Sequence, residues 1–227
     1  MPTESAETHI VLPRLPQSLA ASLFAGAIPC HLKAGKALFV VGDLGDGCYR
    51  LEQGLLKVVI TSPRGDNLII AILGPGSIAG ELALIDGHPR SASVFAIRDC
   101  ELSFVSRNAF EQYTAVHSDI YRYLVNVLAA RLRETDDALG AANFLTVEAR
   151  LARAMLDLAR YFRGHEDAER IVIGEKMTQS DLAALAGVAR ENVSRILTDW
   201  KERKIVVRSG SHYCLNDLEA LKRKAAS

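Results

Sequence analysis

Between residues 30 and 107, short apolar runs alternate with polar breaks carrying glycine at positions 35, 42, 45, 47, 54, 65, 74, 76, 80 and 87. The runs read "ALFVV", "LLKVVIT", "LIIAIL", "SASVFAI" and "ELSFV". Many short strands separated by turn sequences such as "SPRGDN" and "LGPGS" predict an antiparallel sandwich or barrel, because glycine supplies positive φ without steric cost. After Arg107 the pattern changes: no glycine or proline occurs between 108 and 139, which predicts a long helix. Along it Tyr121, Val125, Leu128, Leu132, Thr135, Leu139 and Ala142 step by four and three, an apolar heptad seam with one polar member. Such a seam can dock on the chain's own sheet, but sustained over three heptads it favours a two-stranded coiled coil.

From residue 143 the period is helical again, in shorter pieces, and then gives two β runs, "IVVRS" and "HYCLN", around Gly210. In "MTQSDLAALAGVARENVSRILTDWKERKIV", Thr178 can cap a helix that has Asp181 at its third position. Gly187 breaks that helix, and a second amphipathic helix runs from about residue 190 to 203. Two short helices across a tight glycine turn are the helix-turn-helix pattern. Val193, Ile196 and Leu197 form the second helix's buried stripe, which leaves Arg190, Glu191, Asn192 and Arg195 facing outward.

The chain has 227 residues, 49% of them apolar, enough for one large or two modest cores and too apolar for disorder. No apolar run approaches the roughly 18–20 residues of a bilayer span, and "MPTESAETHIVLPRLP" lacks the layout of a secretory signal, so a cytoplasmic protein without a membrane partner is expected. Cys30, Cys48, Cys100 and Cys214 contain no close pair, so reduced thiols and no metal site are expected. His88 and Cys48 are the two residues that tempt a metal reading. No grouped nucleophile and base and no P-loop is present, so an enzyme is not expected. The formal net charge is zero, but residues 1–142 carry −3 and residues 143–227 carry +3. Within 190–208 six basic residues face three acidic ones, which points the C-terminal region toward a polyanion.

The segment "GELALIDGHPRSA", residues 80–92, holds Glu81 and Arg90 around two small-residue turns. The two side chains could close a loop as an ion pair, or clasp a ligand that carries hydroxyls and a phosphate. A guanidinium fork suits phosphate, and a helix opening near Gly80 would aim free amides at an anion.

With these motifs in this order, the chain resembles the CRP/FNR family of bacterial transcription regulators over nearly its whole length. "GELALIDGHPRSA" resembles the family's phosphate-binding cassette, the heptad helix its dimerisation helix, and "LAGVARENVSRIL" its recognition element. The resemblance implies an α+β fold: an N-terminal antiparallel, jelly-roll-like β-roll that binds a cyclic nucleotide (1–117), a long dimerisation helix (118–142) and a C-terminal winged helix-turn-helix (143–227). It implies cAMP or a related cyclic nucleotide as allosteric ligand. Gly80, Glu81, Leu82, Arg90 and Ser91 would form the cassette, with Glu81 on the ribose 2′-hydroxyl, Arg90 on the phosphate, and Glu81 free to neutralise Arg90 when no ligand is bound. In cAMP-responsive members a Thr and a following Ser on the dimer helix bond the adenine; Thr135 matches, whereas Asp136 departs from Ser and, when ionised, only accepts. Thr135 also has a plainer reading, as a register-setting polar residue in the seam. Arg190, Glu191, Asn192 and Arg195 would read a two-fold, TGTGA-like duplex site, with Ala189 standing where the family has a capping Ser and Asn192 where it has Thr. A homodimer that engages RNA polymerase follows from the same resemblance. The alternative is a regulator of the same fold with a different input: haem, another small anion, or none.

Overall fold

The computed structural model describes residues 17–167 and 170–227. The N-terminal stretch 1–16, including the segment read as lacking a secretory signal, lies outside the described residues. Those described divide into two compact units, one of residues 17–61 and 70–134 and the other of residues 62–69 and 135–227.

In the first unit a short helix α1 (Gln17–Leu23) precedes strands β1 (Ile28–Leu32), β2 (Ala37–Phe39), β3 (Gly47–Gln53), β4 (Leu56–Thr61), β5 (Asn67–Leu73) and β6 (Ile78–Ala79). Helix α2 (Glu81–Asp86), strands β7 (Ser93–Ala96) and β8 (Cys100–Ser106), and helices α3 (Arg107–Val116) and α4 (Asp119–Phe144) follow, with β5 and α4 each running across the boundary between the units. The strands form two four-stranded sheets, ordered β1-β8-β3-β6 and β2-β7-β4-β5. Leu51, Leu56, Leu73, Val94 and Leu102 come from both sheets and meet in one core. Because side chains alternate across a strand, β3 and β8 also present Cys48 and Val105 to the opposite face. There they join Phe24, Leu84, Phe110, Ile120 and Leu124 from the helices and loops around them. Both expectations for this region, antiparallel strands in a roll and a helix after them, are met. The strands β1, β3 and β6 lie outside the apolar runs read from the sequence; the two longer ones, "IPCHL" and "GCYRLEQ", carry polar residues among apolar ones.

The long glycine-free helix is in fact two. His117, at φ −120° and ψ 74°, ends α3 while its amide still bonds the Tyr113 carbonyl, and its ring stacks on Tyr113. Absence of glycine or proline did not prevent the break, because each piece buries its own face: Phe110 and Thr114 from α3, Ile120, Leu124 and Val127 from α4.

The second unit contains helix α5 (Val147–Tyr161), strands β9 (Arg163–Asp167) and β10 (Arg170–Ile173), helices α6 (Gln179–Ala186) and α7 (Arg190–Glu202), strands β11 (Val206–Ser209) and β12 (His212–Leu215), and helix α8 (Leu218–Ala225). Its sheet runs β11-β12-β10-β9, so the two β runs around Gly210 form a hairpin that a further strand pair extends. Thr178 caps α6 in a full capping box with Asp181, and Gly187 closes the helix in the left-handed region at φ 61°. Thr146 caps α5 through the Ala149 amide, and α5 buries Leu151, Met155 and Leu158 at helical spacing. Among the described residues no helix is long and apolar enough to cross a membrane.

Candidate ligand pocket and nucleic-acid interface

Helix α2 begins and ends on glycines in the left-handed region, Gly80 at φ 88° and Gly87 at φ 72°, so residues 80–87 fold as one compact turn. Residues 88–92 return beside it, and a cavity forms whose walls include Phe39, Gly80, Glu81, Leu82, Arg90, Ser91 and Arg131. The two ends of the sequence motif therefore reach the same cavity.

Glu81 and Arg90 are both buried, at 2% and 4% exposure, but they do not pair with each other. The expectation that Glu81 neutralises Arg90 is corrected. Glu81 makes its ion pair with Arg131 of α4. Apart from that contact, neither of its carboxylate oxygens has a hydrogen-bond partner among the described residues. Arg90 donates through Nη1 to the Gly80 carbonyl at 2.7 Å and through Nη2 to the Gly47 carbonyl at 2.8 Å. Its Nη2 also lies 3.3 Å from Asp46 Oδ1, and its guanidinium stacks 4.3 Å from the Phe39 ring centre. Gly80 has no room for a side chain, since a Cβ there would run into the Arg90 guanidinium.

Three residues that contact the cassette's side chains or backbone were missed at the sequence level: Arg131, Asp46 and Arg107. Arg131 left a trace, because it continues the buried stripe Ile120, Leu124, Val127 at the next helical step and is the charged member of it. Arg107 donates to the Gly45, Ala83 and Leu84 carbonyls at 3.0, 2.6 and 3.4 Å, which fastens α2 to the loop before β3. Nothing in the local pattern marks Arg107 or Asp46, since both act on backbone or side chains far away in sequence.

Thr135 and Asp136 lie farther along α4, exposed, and do not line this cavity. Of the seam residues, Tyr121, Val125, Leu132 and Leu139 are exposed, at 47%, 61%, 63% and 62%. The seam thus does not dock on the chain's own sheet; a different stripe of α4 does.

Cys48 and His88 are not brought together. Cys48 is sealed in the core, and burial, then the nearby Glu81 carboxylate, push its thiol up to about 12, which keeps it protonated. His88 sits exposed at the turn after α2, its ring nitrogen 3.0 Å from the Asp86 carbonyl. All four cysteines are free thiols.

In the second unit Arg190, Glu191 and Arg195 are exposed on α7 and Asn192 is half-buried. Asn192 accepts from Arg195 Nη2 at 3.2 Å, which joins two of the four. Val193, Ile196, Leu197 and Trp200 form the buried face, as the stripe predicted for the first three. Ala189 precedes α7 without a side-chain cap. The Trp200 indole donates to Glu148 Oε1 at 2.8 Å, and Lys224 of α8 reaches the same oxygen, so one carboxylate at the start of α5 ties α7 and α8 together.

Residues 29–117 match the cyclic nucleotide-binding domain family, and residues 149–224 match the Crp-like helix-turn-helix domain family. The chain is 31% identical over 197 residues to the CRP-like cAMP-activated global transcriptional regulator of Mycobacterium tuberculosis, covering 87% of this chain and 88% of that one. It is 36% identical over 172 residues to the cyclic AMP receptor protein of Thermus thermophilus, covering 76% of each. A solved transcriptional regulator of the CRP/FNR family from Thermus thermophilus superimposes with a TM-score of 0.74 at 26% identity, over 88% of this chain and 99% of that one.

Proposed function

Because this chain belongs to the CRP/FNR family of DNA-binding transcription regulators, and is not an enzyme, we propose that it is a homodimer whose DNA binding is gated by a cyclic nucleotide, cAMP first among them. The assignment divides the chain by role into a nucleotide-binding β-roll (1–117), a dimerisation helix (118–142) and a winged helix-turn-helix (143–227).

One observation carries the reading. The cavity between α2 and the returning segment 88–92 presents a buried carboxylate with unused acceptor capacity and a buried guanidinium on apolar walls. A buried acceptor left without a donor is costly, so its natural occupant brings hydroxyls. A buried cation asks for an anion in the same molecule. In this assignment Glu81 accepts from the ribose 2′-hydroxyl, Arg90 and Ser91 take the cyclic phosphate, and Gly80 and Leu82 shape the backbone around it. Thr135 and Asp136, which do not line the cavity of a single chain, are assigned to the base in the dimer; an ionised Asp136 accepts only, which suits the adenine amino group and the guanine N1–H edge alike. Since Arg131 of α4 holds Glu81, ligand that engages Glu81 acts directly on the helix carrying the exposed seam. A ligand shifts the equilibrium only as far as it favours the DNA-competent state, and this contact is where that preference arises.

Arg190, Glu191, Asn192 and Arg195 are assigned to base edges in the major groove of a two-fold, TGTGA-like duplex, with RNA polymerase as the further partner. The test is calorimetry of the purified full chain with cAMP and with cGMP, paired with DNA binding in the presence of each. Binding of one nucleotide that also raises DNA affinity supports the proposal. A protein that binds neither, and whose DNA affinity neither changes, overturns it.

A further inference from the structure

Two ion pairs belong to the cavity and its immediate surroundings. Glu81 is paired with Arg131, and Arg90 has Asp46 as its carboxylate neighbour. The second pair is lopsided. The Arg90 side chain is 2% exposed and Asp46 is 72% exposed. Their contact of 3.3 Å is long for a charge-assisted hydrogen bond, which usually measures about 2.7–2.9 Å. The two carbonyl bonds to Gly80 and Gly47, not Asp46, hold the guanidinium in place. Arg90 lines the cavity and Asp46 does not. An anion entering the cavity therefore meets Arg90 from one side while Asp46 stays on the solvent side, close enough for its charge to be felt.

We propose that Asp46 is a specificity-determining residue of this pocket: it neutralises Arg90 in the empty cavity and so favours a monoanionic phosphodiester over a dianionic phosphomonoester. The proposal rests on the reading of the cavity as a cyclic-nucleotide site. A cyclic phosphate carries one negative charge, whereas a phosphomonoester, with its second pKa near 6, carries close to two at neutral pH. The Coulomb repulsion from a fixed carboxylate scales with the ligand's charge, so Asp46 penalises the dianion twice as heavily in free energy. A carboxylate beside Arg90 thereby separates a cyclic nucleotide from its linear hydrolysis product, although the two share base, ribose and phosphate.

The experiment is calorimetric titration of full-length wild type, Asp46→Asn and Asp46→Glu with adenosine 3′,5′-cyclic monophosphate and adenosine 5′-monophosphate, at low and high salt. Asp46→Asn is expected to bind the cyclic ligand about threefold more tightly and the linear one about tenfold more tightly, which lowers selectivity about threefold. Both gains should shrink at high salt, and Asp46→Glu should keep the wild-type selectivity. Asp99→Asn, which removes a surface carboxylate paired with Lys33, controls for net charge and should change neither affinity. A gain in affinity cannot come from misfolding. If Asp46→Asn weakens the cyclic ligand, or alters both affinities by one factor, Asp46 orients Arg90 and does not select charge, and the proposal falls while the pocket assignment stands. If wild type binds neither adenosine ligand nor guanosine 3′,5′-cyclic monophosphate, both fall.

Discussion

Replacing Arg90 by alanine would remove more than a phosphate partner, because it also strips donors from the Gly80 carbonyl of the cassette and the Gly47 carbonyl at the start of β3. Arg90→Lys is the cleaner change: it keeps the charge and loses the fork. It should leave the chain folded while cyclic-nucleotide affinity falls roughly 30-fold or more, as expected when a buried charge-assisted pair is broken at about 2–5 kcal/mol. Calorimetry measures it, and unchanged affinity would show that Arg90 serves the loop alone. A second residue makes a pH prediction. Lys224, then the Trp200 indole, hold the Glu148 carboxyl below its ordinary value of 4.5. A depressed carboxylate contributes stability that is complete above the unfolded value and is lost as pH falls through the folded one. The Tm gap between wild type and Lys224→Met should therefore be widest above pH 4.5 and close below it. A gap that persists in acid would assign the contact to packing.

At the scale of elements, α4 carries two apolar stripes with different fates. Ile120, Leu124 and Val127 are buried against the roll, while Tyr121, Val125, Leu132 and Leu139 face outward. A row of exposed apolar residues at heptad spacing is what a partner helix covers. Leu132→Asp, which would place a charge in that contact, should make assembly concentration-dependent or abolish it in sedimentation. Thr135→Ala should leave assembly intact and blunt the nucleotide response; loss of the dimer with ligand affinity unchanged would make Thr135 structural. Helix α7 offers a gain instead. Its Ala189 supplies no side-chain cap, so Ala189→Ser should raise stability by about 0.5–2 kcal/mol in thermal unfolding.

The whole molecule makes its prediction through symmetry. A two-fold dimer presenting two copies of α7 should select an inverted repeat whose half-sites lie about one helical turn, roughly 10–10.5 bp, apart. Selection from random duplexes with cAMP present should enrich paired G·C positions. Arg195→Ala should relax one of them at about 1–3 kcal/mol per lost base contact. Lys201→Ala, where that side chain meets a phosphate, should weaken all sequences alike and flatten the salt dependence. An enriched motif without two-fold symmetry would reassign these side chains.

What the sequence by itself determined is everything that depends on local order. Apolar runs between turn residues placed β2, β4, β5, β7 and β8 of the roll, Thr178, Asp181 and Gly187 placed the boundaries of α6, and the stripe at 193, 196 and 197 set which face of α7 is buried. The motif at 80–92 brought Glu81 and Arg90 to one cavity. Tertiary structure alone decided who pairs with whom. Glu81 and Arg90 sit nine positions apart, yet each found its partner elsewhere: Arg131 on a helix fifty positions on, Asp46 in a loop forty-four positions back. A buried charge takes the counter-charge nearest in space, and spatial neighbours are set by how the roll closes and which stripe of α4 docks on it. Periodicity is likewise blind to the break at His117, because both helices it separates satisfy the same apolar spacing. It is blind also to which of two apolar stripes a sheet will cover, a choice made by the shape of the surface α4 meets.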